Sequence, residues 1–233
     1  MKKSHYLFLL LFLLLGCERE VTTLLDKDGL KYEINDQKPF SGRYVEYFDN
    51  GQKKKEGSYR HGKEQGIWVS WYLNGQKNEQ TVYKHYMRNG VWIKWYESGQ
   101  KGREIHYQDN VRNGLDITWY ENGQKFHETS YENGVKHGLW TLWYENGDKK
   151  EQLIYNNDKA REVIRYHGGK KNGPWALWYD NGNKKEEGHY KNGKLDKDYS
   201  QWYESGRLKE QGFFKGSVKN GLWITWYESG NKK

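Results

Sequence analysis

Cysteine is nearly absent from this sequence: Cys17 is the only one in 233 residues. No disulfide, thiolate zinc site or paired redox thiol can form within a single chain. Aliphatic side chains are scarce too. The AVILMFWYC residues make up 34% of the chain, and Phe, Trp and Tyr alone make up 17%. A disordered polar chain lacks aromatics, and an ordinary globular core draws on Leu, Ile and Val. Here Trp and Tyr must supply the buried surface. Signatures of catalysis are missing as well: there is no HExxH, CxxC, GxSxG, phosphate-binding loop or dinucleotide fingerprint. The histidines are scattered, and the repeat-borne His61, His85, His106, His127 and His189 fall at several different repeat positions, as surface and turn residues do. A catalytic acid pair occurs once per site, whereas the glutamates here recur once per unit, as solvated cross-strand partners of lysine do. The chain is therefore expected to be no enzyme and to hold no cofactor and no metal.

A long hydrophobic run occurs in one place only. Lys2 and Lys3 precede an unbroken series of Leu and Phe from Leu7 to Leu15. The run is too short for a membrane-spanning helix, which needs roughly 20 residues, but it fits the apolar region of a secretory signal. It ends in Leu14-Leu15-Gly16-Cys17, which resembles the lipobox of bacterial lipoproteins. The resemblance implies a signal peptide over 1–16, acylation of Cys17 and a lipidated tether over 17–28. The mature chain would then be exported and anchored to a membrane, since two or more acyl chains hold stably. Glu18 after the cysteine is similar to lipoproteins sorted to the outer membrane of diderm bacteria. Loss of Lys2 and Lys3 lowers the net charge of +8 by two. Spread over a long molecule, that excess does not point to nucleic acid. Attraction to anionic headgroups or acidic glycans fits it better.

The rest of the chain is a repeat. Trp-Tyr-Glu-Asn-Gly-Gln-Lys recurs with small changes from Tyr47, Trp71, Trp95, Trp119, Trp143, Trp178, Trp202 and Trp226, at spacings of 24, except 35 between Trp143 and Trp178. With that first residue as position 1, position 5 is always glycine, position 13 is Tyr or Phe, and position 20 is glycine except at Lys197. Position 22 is tryptophan except at Asp116 and Tyr199, and every tryptophan of the chain stands at position 1 or 22. Asn-Gly or Ser-Gly at positions 4 and 5 predicts a two-residue hairpin turn with both residues at positive φ. Each unit is then a β-hairpin, marginal alone and stabilised by stacking on its neighbours. Such a turn sets position 22 opposite position 11, so that Trp68 faces Thr81, Trp175 faces Gly188 and Tyr199 faces Gly212.

The expected fold is all-β: an elongated single-layer array of antiparallel β-hairpins over 29–233, roughly 70 Å long and 20 Å wide. Eleven extra residues near 152–166 look like a duplicated second strand. A single added strand would invert a simple meander, so that segment is either irregular or a bend in the array. Positions 22 and 2 share one face by strand alternation. The candidate binding-face aromatics are therefore Trp68, Trp92, Trp140, Trp175 and Trp223 with Tyr72, Tyr96, Tyr120, Tyr144 and Tyr179. Most such rings serve a core ladder, and a minority would line a groove for a peptide or a sugar.

This pattern resembles MORN repeats and, more closely, the bacterial MORN-variant family of YwqK-type antitoxins. The resemblance covers residues 29 to 233 and includes the lead-in Lys38-Pro39-Phe40-Ser41-Gly42-Arg43-Tyr44. It implies a monomeric, non-enzymatic binding protein whose protein partner is a toxin. The signal segment runs against a cytosolic antitoxin. The alternatives are a structural envelope protein contacting membrane or cell wall, and a carbohydrate-binding surface protein.

Overall fold

Two kinds of turn alternate along the chain, and the residues at each dictate its backbone. The computed structural model describes residues 20–233, so the expected signal peptide and Cys17 lie outside the described residues. Three short strands open the described chain: β1 (Glu20–Val21), β2 (Leu25–Lys27) and β3 (Leu30–Tyr32). A meander follows through β4 (Gly42–Tyr47), β5 (Lys53–Arg60), β6 (Lys63–Trp71), β7 (Lys77–Lys84), β8 (Met87–Arg88), β9 (Gly90–Trp95) and β10 (Lys101–Gln108). It continues through β11 (Val111–Trp119), β12 (Lys125–Glu132), β13 (Val135–Lys136), β14 (Gly138–Trp143), β15 (Lys149–Asn156) and β16 (Lys159–His167). It ends with β17 (Lys170–Lys171), β18 (Gly173–Trp178), β19 (Lys184–Lys191), β20 (Lys194–Trp202), β21 (Leu208–Lys215) and β22 (Val218–Thr225). The two-residue strands β8, β13 and β17 begin rungs that β9, β14 and β18 complete. From β4 to β22 each rung pairs antiparallel with the next in sequence. The expected all-β array is thus the fold, and no helix occurs among the described residues. With rungs about 4.8 Å apart, the stack is on the order of 75 Å long.

The turn expected at positions 4 and 5 is corrected by the backbone. Asn133–Gly134, at positions 15 and 16, has φ +50° and +86°, and the equivalent pairs in other units are alike. These are the two-residue type I′ turns. At positions 2 to 6 the Tyr72 amide donates to the Gln76 carbonyl at 2.8 Å and the Gly75 amide donates to the Tyr72 carbonyl at 3.0 Å. Gly75 has φ +82°, and Asn74 is not at positive φ. That is a three-residue loop, a type I turn closed by a glycine in the left-handed region. Asn74 instead accepts the Gln76 amide on its side chain at 2.9 Å. The expected register survives, with Trp68 opposite Thr81, Trp175 opposite Gly188 and Tyr199 opposite Gly212. The longer loop is offset by one bulged residue, Asn78, between the pairs Trp71–Lys77 and Ser70–Glu79.

Position 20 explains its own exception. Lys197 stands there with φ +73°, in a region costly for any residue with a Cβ. Lys197→Gly is expected to stabilise the protein by about 0.5–1 kcal/mol. The check is the urea midpoint, and an unchanged or lower value would show that the site carries no strain.

The extra residues form a regular strand, β16, flanked by two narrow turns in succession, Asn157–Asp158 and Gly168–Gly169, each with both φ positive. The segment is not irregular, and its consequence is an inversion. Trp140 pairs with Leu153, Leu153 with Val163, and Val163 with Ala176. Directly paired residues share a face, so Trp140 lies with Ala176, and Trp175 points the other way. Trp68, Trp92 and Trp140 therefore lie on one face, the front, whereas Trp175 and Trp223 lie on the back. The same odd rung moves the wide turns to the opposite edge. Residues 42–156 and 170–233 form two blocks related by a half-turn about the stacking axis.

The front of the first hairpins is covered by the chain's own start. Val21, Phe40, Tyr59 and Trp68 form a buried cluster, with Leu24, Tyr44 and Tyr83 packed against it. Within the segment expected as a tether, β1 pairs in parallel with β4, and Val21 is buried. Burial pushes the Tyr83 hydroxyl up to about 12.

Candidate binding face

The position-22 tryptophans have unequal surroundings. Trp68 is 3% exposed. Its ring lies on Gly57, where an added Cβ would meet ring atoms at 2.1–2.6 Å, and its Nε1 donates to the Ser58 carbonyl at 3.2 Å. Trp223 repeats the arrangement over Gly212, with Nε1 donating to the Phe213 carbonyl at 3.1 Å, but it is half-exposed on the last strand. Trp175 is buried beside Tyr190 and Tyr199, at 5.6 and 6.5 Å between ring centres. Trp92 is half-buried and donates to the Glu79 carboxylate at 2.7 Å. Trp140 is half-buried against the His127 ring at 5.7 Å.

The position-2 tyrosines build a ladder along the wide turns. Each hydroxyl donates to the carbonyl of the next unit's first tryptophan: Tyr72 to Trp95 at 2.7 Å, Tyr96 to Trp119 at 2.7 Å, Tyr120 to Trp143 at 3.1 Å, and Tyr179 to Trp202 at 2.9 Å. Tyr144 has no such rung, because the next wide turn lies on the other edge. Its ring is exposed and carries the Lys150 ammonium at 5.4 Å. A second set of stacks runs along the narrow turns. Arg88 lies over Tyr107 at 4.4 Å, Arg112 over Tyr131 at 5.2 Å, Lys136 over Tyr155 at 5.2 Å, and Lys171 over Tyr190 at 5.1 Å. Each contributes about 0.5–1 kcal/mol.

Sequence reasoning missed an aliphatic stripe on the back of the first block. Ile67 pairs with Val82, Val91 with His106, Leu115 with Ser130, and Leu139 with Ile154. Ile67 is 59% and Leu139 50% exposed. The signal was present, since an aliphatic residue at position 21 next to an inward tryptophan must point to the opposite face. The stripe ends where Ile154 pairs with Glu162 on the inverting strand.

The front face also has a polar centre. Asp116, standing where other units have tryptophan, is 1% exposed. Arg103 grips it with two bonds, Nε to Oδ1 at 3.0 Å and Nη2 to Oδ2 at 2.8 Å. Arg112 approaches Oδ2 at 3.4 Å and donates to the Tyr131 hydroxyl at 3.1 Å. Thr129, directly opposite Asp116, is buried with a hydroxyl that has no partner. Burial holds the pKa of neighbouring His127 below its ordinary value. Among the described residues no group of three or more His, Cys, Asp or Glu side chains could hold a metal ion.

A single-layer stack of hairpins with one aromatic row per unit and both faces largely bare is a repeat scaffold. The chain belongs to the MORN repeat variant family, whose pattern matches residues 41–61, 64–85, 88–109, 136–157, 171–192 and 195–215. No curated protein matches it. Apart from two-residue gaps, the family pattern passes over two long stretches between its first and last units: residues 110–135, which hold Asp116, and residues 158–170, which hold β16.

Proposed function

We propose that the chain is a non-enzymatic binding protein whose front face holds a polypeptide partner along the hairpins from Tyr83 to Tyr155. One observation carries this reading. The same face already accepts a polypeptide at its first hairpins, where Val21, Leu24 and Phe40 pack on Tyr44, Tyr59 and Trp68. Beyond that cover the face continues bare, with Trp92, Trp140 and the cation-capped Tyr107, Tyr131 and Tyr155. Trp, Tyr and Arg are the residues enriched where protein interfaces draw their binding energy. A photo-crosslinking residue at Tyr107 is expected to trap one protein in the cells that make this chain. The same residue at Leu139, on the back, is expected to trap none. An adduct from Leu139 alone would favour the second reading, a structural contact made by the aliphatic stripe.

The resemblance to YwqK-type antitoxins makes a toxin the first partner to test. The lipobox-like Leu14-Leu15-Gly16-Cys17 supports display on a membrane outside the cytosol, which favours an exported toxin over a cytosolic one. Labelled palmitate is expected to enter the wild-type protein and not Cys17→Ala; equal labelling of the two would reject the anchor.

A further inference from the structure

We propose that Arg103 and Arg112, gathered over Asp116, form a clamp that receives a carboxylate side chain of the polypeptide partner. The proposal rests on the partner-binding reading above and names the chemistry at its centre. Four observations lead to it. First, Asp116 departs from the repeat at a position where five units place tryptophan, and the fold does not require the departure. A buried ion cluster is commonly no more stable than apolar residues of similar volume, so its retention calls for another cause.

Second, the arginines are held but not exhausted. Arg103 and Arg112 are each 38% exposed while their shared counter-ion is 1% exposed. Two guanidiniums against one carboxylate leave an excess positive charge on the open face. Lys94, paired across from Arg103, is itself paired across from Glu79 on the same face, so those two charges offset each other and the arginine excess remains. The glutamates nearest in sequence do not cancel it, because Glu104 and Glu128 pair with Ile117 on the back. Third, the Thr129 hydroxyl directly opposite Asp116 is buried without a partner, a polar defect at the centre of the cluster that calls for an explanation. Fourth, the cluster sits on the front between Trp92 and Trp140, the two half-buried tryptophans of that face. An arginine pair framed by aromatics, with a fork suited to planar anions, selects a carboxylate.

The neighbouring unit supplies a variant that should fold. Glu79 and Trp92 occupy the positions of Arg103 and Asp116 one unit earlier, and they bond to each other at 2.7 Å. Arg103→Glu with Asp116→Trp transplants that pair and removes the excess charge. The probe is a fluorescent hexapeptide of alternating phenylalanine and glutamate, compared with its glutamine counterpart on purified full-length protein. Wild type is expected to prefer the glutamate peptide by about ten-fold, and the double variant to show no preference at an unchanged thermal midpoint. Arg112→Gln leaves the two-bond grip on Asp116 intact. It is expected to lower the preference about three-fold, and it decides the matter if the double variant does not fold. No preference in wild type, or an undiminished preference in a folded variant, overturns the clamp. Equal competition by tripolyphosphate would mean general attraction of anions and would overturn it too. A Tyr107 crosslink that persists in the double variant leaves the partner standing and removes only the clamp.

Discussion

Trp68→Ala is expected to cost about 3–5 kcal/mol, the range for truncating a buried large aromatic. The ring is wedged between Gly57 beneath it and Tyr59 and Tyr44 beside it, with ring centres 4.8 and 6.1 Å away. Val21 and Phe40 close the cluster from above. Its removal therefore opens a cavity that the pleated backbone of three paired strands cannot collapse into. The edge-on contact with Tyr59 adds about 0.5–1.5 kcal/mol to what area alone provides. Trp223→Ala is the control. It removes the same ring from over the equivalent glycine, but on the last strand and without a cover, so about 1–2 kcal/mol is expected. In a stack where each unit touches only its neighbours, the two losses should add. Urea unfolding of the two single variants and the double variant checks all three values. Equal costs for Trp68 and Trp223 would show that the N-terminal cover contributes little.

Deleting residues 156–166 is expected to change the geometry of the whole second half while leaving the fold intact. The deletion restores the regular 24-residue spacing, since Trp143 and Trp178 are 35 apart. β15 would then pair directly with β17 and β18 through the Gly168–Gly169 turn. Trp175 would move to the front and face Leu153, and Tyr144 would gain the Trp178 carbonyl as its missing rung. The measurement is a disulfide between cysteines placed at 153 and 175 in a Cys17→Ala background. Adjacent paired strands bring two Cα atoms to about 5.5 Å, within bonding range. In the present chain β16 separates those positions and sets them on opposite faces, so only the deleted chain should crosslink. Crosslinking in both chains would refute the inversion.

The repeat, the hairpins and the cross-strand register were legible because a strict period exposes them. Every tryptophan falls at one of two positions, and each later copy confirms the reading of an earlier one. The turn at positions 4 and 5 misled for a specific reason. Asn-Gly satisfies both a two-residue turn and a longer loop with a terminal glycine, and the bulge at Asn78 that separates them has no residue signature of its own. The inversion was half legible: the added strand could be seen, but its effect on Trp175 and Trp223 requires pairing each rung to the next. At the candidate face the tryptophans were found and the arginines were not. Asp116 was visible as an exception, yet nothing local says that Arg103, thirteen residues earlier, reaches it across the strands. The aliphatic stripe recurs at only one residue per unit, position 21, and its place on the face opposite each tryptophan emerges only when strand alternation is applied one residue back.

The tyrosine ladder has a mechanical consequence. Rung-to-rung backbone bonds point along the stacking axis, so a pull on the two ends loads them directly. Where the ladder is present, each wide turn is tied to its neighbour by an extra hydroxyl bond, and from Asn74 to Glu97 also by a side-chain amide at 2.8 Å. Between Tyr144 and Tyr179 that tie is missing, because the wide turns change edges there. The first wide turn lacks it as well, because Phe48 stands at position 2 without a hydroxyl, but there the N-terminal cover packs on the same hairpins. Around β16 a guanidinium replaces the phenol, since Arg161 donates to the Tyr179 carbonyl at 2.5 Å and meets Asp180 at 3.4 Å, so under tension the junction of the two blocks hangs on a single side chain at that edge.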